Sequence, residues 1–146
     1  MVITFFGHSD FKCTEQIKAK AYTLLCLEGQ GKEVDFYLGN YGGFDNFAFD
    51  IAKGYKEKYP KSKLIFITPY IHKGYYKIEE SKKYFDETVF PEIEGVPPIY
   101  AISKRNEWMI DQSNVVFFFV NRSWGGAAKA LAYAKRRKKK IINLAE

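Results

Sequence analysis

The chain has 146 residues, 47% of them apolar and 18% aromatic, which suits one folded unit and excludes a disordered or low-complexity class. A domain of this size buries roughly 70% of its unfolded surface, so no disulfide or metal staple is required. The formal net charge of +6 comes from one place: residues 135–140 are six consecutive cations, and setting them aside leaves 17 basic residues against 17 acidic.

No segment approaches the roughly 20 apolar residues of a membrane span. The N-terminal stretch lacks a basic region and its apolar run is too short for a signal peptide, so it is expected to be a strand. Cys13 and Cys26 lie thirteen apart with no CxxC and no histidine nearby, which points to buried or half-buried free thiols rather than a zinc site or disulfide. A cytoplasmic protein without metal or cofactor is expected, with residues 1–146 forming a single domain.

In chain order, Val2 to Phe6 reads as a buried strand and Gly7-His8-Ser9 as the turn after it. Cys13 to Glu28 has helical spacing, with Ile17, Ala21, Leu24 and Leu25 on one face and Gly29 and Gly31 as the stop. Val34 to Leu38 predicts a second strand, followed by the glycine-rich turn Gly39 to Gly43. Asp45 is placed to cap a helix running to about Tyr59, with Phe47, Ile51 and Tyr55 inward and Pro60 as its terminator. Leu64 to Thr68 predicts a third strand. Residues 69–97 are the least regular part, with a short helix at Glu79 to Tyr84 and a strand at Glu87 to Phe90; a lid and a dimer contact both suit this stretch. Pro97 to Ser113 reads mainly as helix, with Ile99, Ile102, Asn106 and Met109 on one face. The apolar run Val115 to Val120, a helix from Gly126 to about Arg137 and a last strand Ile141 to Leu144 complete the chain.

Strands alternating with helices imply an α/β fold: a Rossmann-like three-layer sandwich, with a mainly parallel sheet and helices on both faces. In such sheets ligands bind beyond the carboxyl ends of the strands, where strand order reverses. The turns Gly7-His8-Ser9, Gly39 to Asp45, Thr68 and Asn121 to Gly126 all fall at such ends. Gly125-Gly126 opens a helix directly after a strand and loop, so it offers backbone N–H groups and the positive end of a helix dipole to a phosphate, with Ala127 following. Gly42-Gly43 is a second pair of the same kind. Neither matches GxGxxG, and no Walker lysine follows.

Arg105 is the cation best suited to a phosphate, because its fork binds bidentately, and Asn106 beside it both donates and accepts. Asp45 suits a ribose hydroxyl as well as a helix cap. His8 and Asp45 are the residues available for acid/base work. Trp124 and Tyr41, at loop positions, are placed to stack on a base, whereas Asp111 reads as structural and Tyr133 as core. The six-cation run reads first as a solvated helix terminus favoured by the dipole, and second as a patch for nucleic acid.

These residues together resemble the SLOG superfamily, the Rossmann-like group of DNA processing protein A and the lonely-guy phosphoribohydrolases. The resemblance rests on the opening strand with Gly7-His8, the turn Gly42-Gly43-Phe44-Asp45, the stretch Arg105-Asn106 with Trp108-Met109 and Asp111, and Gly125-Gly126 before Tyr133-Ala134; it is nearest to the small uncharacterised bacterial branch. It implies phosphate or phosphoribose on the glycine turn, and a homodimer. In the phosphoribohydrolases an arginine-lysine pair precedes PGGxGTxxE, whose glutamate assists N-glycosidic cleavage. Here Asn106 replaces the lysine, Lys129 or Leu131 falls at the glutamate, and no carboxylate lies between Asn114 and Ala145. A binder of a nucleotide-like small molecule, such as a nucleoside phosphate or an ADP-ribose derivative, is therefore expected, at Gly7, His8, Ser9, Gly42, Gly43, Asp45, Arg105, Asn106, Trp124, Gly125, Gly126 and Ala127. The alternatives are an N-glycosidase or (deoxy)ribosyltransferase using a substitute carboxylate, and a nucleic-acid interaction through residues 135–140.

Overall fold

The computed structural model describes residues 1–71, 75–93 and 95–146. Six strands form one sheet: β1 (Val2–Gly7), β2 (Asp35–Leu38), β3 (Lys63–Ile67), β4 (Glu87–Val89), β5 (Val115–Phe119) and β6 (Lys140–Asn143). The order is β4-β3-β2-β1-β5-β6 and every pairing is parallel. The helices are α1 (Glu15–Gly29), α2 (Gly43–Lys58), α3 (Tyr76–Ser81), α4 (Ala101–Gln112) and α5 (Gly126–Arg136).

Both faces of the sheet are covered, and the alternation of side chains along each strand explains the apolar runs. Ile3, Phe5, Phe36, Leu38, Val115 and Phe117 join α1 and α2 in one core. Phe6, Ile65, Ile67, Val116, Phe118 and Val120 meet α4 and α5 in the other. Central strands buried on two faces carry no polar alternation, hence Val-Val-Phe-Phe-Phe in β5. Strand order runs outward from β1 to β4, then returns to place β5 on the opposite side of β1. The loops after β1 and β5 diverge there, and a crevice opens between them.

Several boundaries differ from those expected. The α1 helix begins at Glu15, not Cys13, because the Thr14 hydroxyl caps it by accepting from Ile17 N at 3.2 Å. Cys13 is consequently exposed, while Cys26 is half-buried. Its end is a left-handed Gln30 (φ 53) rather than a glycine. Gly29 serves a packing purpose instead: a Cβ there would lie 2.2 Å from the Tyr55 hydroxyl, which donates to Lys32 O at 2.7 Å. The third helix, α3, sits earlier than expected, at Tyr76–Ser81, and β4 stops at Val89. Residues 72–74 and 94, part of the irregular stretch 69–97, lie outside the described residues.

The expected helix over 97–113 divides into a 3-10 turn at Pro98–Tyr100 followed by α4. Its inward face also differs. Ile99 is 82% exposed and Ile102 43%, whereas Ala101, Arg105, Met109 and Ile110 are buried. A charged residue in the middle of the buried stripe makes hydrophobic periodicity select the wrong face. The last helix ends at Arg136 and β6 begins at Lys140, one residue ahead of the expected strand. No described helix is long and apolar enough to cross a membrane.

Since the site at Gly29 is closed by the Tyr55 ring, Gly29→Ala is expected to destabilise by about 1–3 kcal/mol through overpacking. A urea midpoint shifted down at unchanged slope would show it; an unaltered midpoint would mean that Tyr55 moves aside without cost.

Candidate functional site

The crevice at the carboxyl ends of β1, β2 and β5 forms a cleft of about 320 Å³. That volume is within the range that holds a small ligand. The end of β1 contributes Phe6 and Gly7 and the loop after it His8 and Ser9; the β2–α2 connection contributes Tyr41 and the first turn of α2 Asp45; α4 contributes Ile102, Arg105 and Asn106. The β5–α5 connection contributes Arg122, Trp124, Gly125, Gly126 and Ala127. Ten of the twelve residues expected at a ligand site from sequence therefore line one cavity; Gly42 and Gly43 stand outside it.

At the α5 end, Gly125 adopts φ 95, a conformation that favours glycine, and supplies the helix N-cap without any side-chain hydrogen bond. The first-turn N–H groups of α5 accordingly have no side chain capping them, and the side-chain positions beside them are open: a Cβ at Gly125 or Gly126 would meet nothing within 4 Å. Two residues upstream of Gly126, Trp124 is 65% exposed. The Arg122 guanidinium lies 4.1 Å from its ring centroid and donates to Asp10 at 3.2 Å. Arg122 Nε is buried and has no hydrogen-bond partner among the described residues. Sequence reasoning did not include Arg122; the available signal was a cation two residues from an aromatic in a strand-to-helix loop.

Arg105 enters from the opposite wall. It is only 5% exposed. Its Nη1 donates to Ile67 O at 2.9 Å and its Nε to Asn106 Oδ1 at 3.1 Å, and its guanidinium lies 5.4 Å from the Tyr41 ring centroid. A guanidinium has five N–H donors, so the cation retains donors for a ligand. It forms no ion pair within 4.0 Å with a described carboxylate. Desolvation lowers its pKa, and the Asp45 charge opposes that effect. A buried cation without a close counter-ion is costly, and an anion entering the cleft would relieve that cost.

Asp45 is not the N-cap of α2, contrary to expectation. The helix starts at Gly43 with Gly42 as its N-cap, and Asp45 sits inside the first turn. Its Oδ2 accepts the Tyr41 N–H at 2.8 Å and thereby fixes the loop that presents the Tyr41 ring. Desolvation pushes the Asp45 carboxyl up to about 6, against the pull of Arg105 and Lys77. Lys77 donates to Asn40 O and lies 4.6 Å from the Tyr41 ring centroid, so two cations flank that ring.

Gly42 and Gly43 serve loop packing. The Gly43 N–H donates to Ser9 O at 3.0 Å, and a Cβ at Gly43 would lie 2.5 Å from Phe11 O. This amide is therefore already bonded, which removes it from the expected anion cradle. Gly7 is closed in the same way, because a Cβ there would meet the Phe44 ring at 2.2 Å. His8 is buried, and its Nε2 accepts the Asn121 N–H at 3.2 Å. Its pKa is lowered by desolvation and then by Arg122, with Asp10 opposing. The neutral ring carries its proton on Nδ1 and spends its lone pair joining the β1 and β5 loops, a positioning role rather than that of an open general base.

Three of the six cations in the basic run have structural tasks. Arg137 pairs with Asp111 at 3.0 Å, and Lys139 donates to Asp111 O and Ser113 O at the end of α4. Lys140 pairs with Glu28. Tyr133, half-buried rather than core, donates to Asp111 at 2.8 Å. Among the described residues no group of three or more His, Cys, Asp or Glu is placed to hold a metal.

A six-stranded parallel sheet with helices on both faces and a cleft at the strand-order reversal is a Rossmann-like fold, the fold class expected from sequence. No protein-family model matches the chain, and no characterised protein sequence matches it. Solved structures share the fold, two of them of DNA processing protein A. One is DNA processing protein A from Helicobacter pylori, described for its single-stranded DNA binding mode: TM-score 0.61, 16% identity, 97% of this chain and 63% of that one covered. The other is DNA processing protein A from Streptococcus pneumoniae: TM-score 0.59, 14% identity, 94% of this chain and 48% of that one. The chain thus spans between about half and five-eighths of the length of these neighbours.

The elevated Asp45 pKa gives a signed prediction. For an acid whose folded pKa lies above its unfolded value, the native state binds more protons, so stability falls as pH rises from about 4 to about 6. Asp45→Asn is expected to remove that decline, improving relative to wild type between pH 4 and pH 7 in urea melts. An equal effect of the substitution at both pH values would place the carboxyl in a water-like environment.

Proposed function

We propose that the cleft binds the phosphate of a nucleotide-type ligand at the N-terminus of α5. One observation carries this reading: the uncapped helix N-terminus and the buried Arg105, with N–H donors to spare, line the same cavity. Backbone donors and dipole favour the anion from one side, and the guanidinium fork meets it from the other. Trp124 offers a ring face for the base, and Asp45 offers an oxygen to a sugar hydroxyl.

Single-stranded nucleic acid is the second reading, with the same phosphate position taken by one unit of a strand. The exposure of Trp124 at the mouth of the cleft favours it, since base stacking on an outward aromatic is tolerant of sequence. The fold likeness to a protein described for single-stranded DNA binding adds support. Glycosidic cleavage has less support, because His8 Nε2 is engaged and Asp45 is the one carboxylate lining the cleft among the described residues.

Gly126→Asp tests the phosphate position without disturbing the fold. Its Cβ would enter open space, and a carboxylate in the first turn suits the dipole while repelling a ligand anion. Wild type is expected to melt higher with nucleoside phosphates or a single-stranded oligonucleotide, since ligand at 100 times the dissociation constant adds about 2.7 kcal/mol to the free energy of unfolding. Gly126→Asp and Arg105→Met should each abolish the shift. Undiminished affinity in Gly126→Asp, or a wild type that responds to none of these ligands, would overturn the assignment.

A further inference from the structure

Beside the cleft lies a second cavity, of about 220 Å³, between α4 and α5. It shares Asn106 and Gly126 with the first, so the two are continuous at the α5 N-terminus. From Gly126 the groove follows α5 past Lys129 and Tyr133 to Arg136. Those residues recur at three- and four-residue steps and share one helix face. Ten residues of helix separate Gly126 from Arg136, about 15 Å of travel.

The cations along this groove differ from their neighbours in the basic run. Arg137 and Lys140 are paired with carboxylates, and Lys139 is bonded to two α4 carbonyls. Lys129 and Arg136 are exposed and have no carboxylate partner among the described residues; Arg136 rests over the Tyr133 ring at 5.6 Å. The acidic groups nearby are already answered: Glu107 pairs with Lys104 at 3.4 Å, and Asp111 with Arg137 and Tyr133. Uncompensated positive charge therefore continues from the phosphate position down one helix face.

We infer that the α4–α5 groove is a track for single-stranded nucleic acid, leading a strand from the phosphate position at Gly126 along Lys129 and Arg136. This rests on the strand reading of the cleft. A single nucleotide seated at Gly126 uses the helix N-terminus and Arg105 and leaves Arg136 idle, whereas successive phosphates of a strand engage both cations. Tyr133 between them supplies an apolar wall against which sugar or base can lie, and its hydroxyl remains tied to Asp111. The groove contacts are backbone contacts, so they confer affinity and salt dependence rather than sequence preference.

Lys129→Glu/Arg136→Glu tests the track, because both side chains are on the surface and the melting temperature should hold. Binding of a labelled single-stranded oligonucleotide is followed by anisotropy across a salt series, with a nucleoside monophosphate melt in parallel. The double variant is expected to lose about tenfold or more in oligonucleotide affinity. The slope of log K against log salt should become shallower by about 1.4, two contacts at about 0.7 each. The monophosphate response should stay as in wild type. Oligonucleotide binding that is lost in Gly126→Asp yet unchanged in the double variant would overturn the track and leave the cleft standing. A wild type that responds to monophosphate but binds no oligonucleotide would do the same. Absence of both responses in wild type would overturn the cleft reading together with the track.

Discussion

The parallel pairing of β1 with β5 is the constraint on which the site depends. Five consecutive residues are in register, from Ile3 against Val115 to Gly7 against Phe119. Each residue of this pair of strands that points to one face finds a helix, and the next finds a helix on the other, so both strands are mostly apolar, and the buried Thr4 hydroxyl is satisfied by donating to Tyr37 O at 2.7 Å. The chain reaches β5 only after building the opposite half of the sheet, and the return forces the loops after Gly7 and Phe119 to part. The His8–Asn121 hydrogen bond then holds those loops at a fixed separation. The cleft is thus a by-product of topology, and its walls are as rigid as the sheet beneath them.

Into that gap the fold inserts charge from two directions. Arg105 is anchored to Ile67 O, the last residue of β3, so its position reports on the sheet rather than on a mobile loop. Arg122 is attached to the β1 loop through Asp10 and to Trp124 through its ring face. One cation is buried and held by the sheet, the other is part-exposed and held by loop residues. That asymmetry suits a site in which one phosphate must be placed accurately and the remainder of the ligand is less constrained.

The strands and the β5–α5 turn were legible in the sequence because apolar runs and glycine pairs are local signals. The inward face of α4 was not, because Arg105 occupies a buried position and Ile99 and Ile102 do not; periodicity cannot see a cation buried for its charge. Gly42-Gly43 and Gly125-Gly126 look alike in one dimension. Their difference lies in what stands opposite: Ser9 and Phe11 crowd the first pair, and nothing crowds the second. The basic run is unreadable in one dimension for a related reason, since the partners of Arg137 and Lys140 lie 26 and 112 residues away in the chain. Only three-dimensional pairing separates cations that hold the fold from cations that remain available.

The contrast between the two glycine pairs also bears on how such a site changes over generations. On the β1 side the backbone is locked: a side chain added at Gly7 collides with the Phe44 ring, and one added at Gly43, behind the cleft wall, with Phe11 O. On the β5 side position 126 accepts a side chain at no steric penalty, and the helix behind it holds its course. One lip of the cleft is therefore frozen by folding while the other is open to drift. A lineage carrying this scaffold can exchange one ligand preference for another through single substitutions at the open lip, with folding insulated from the experiment.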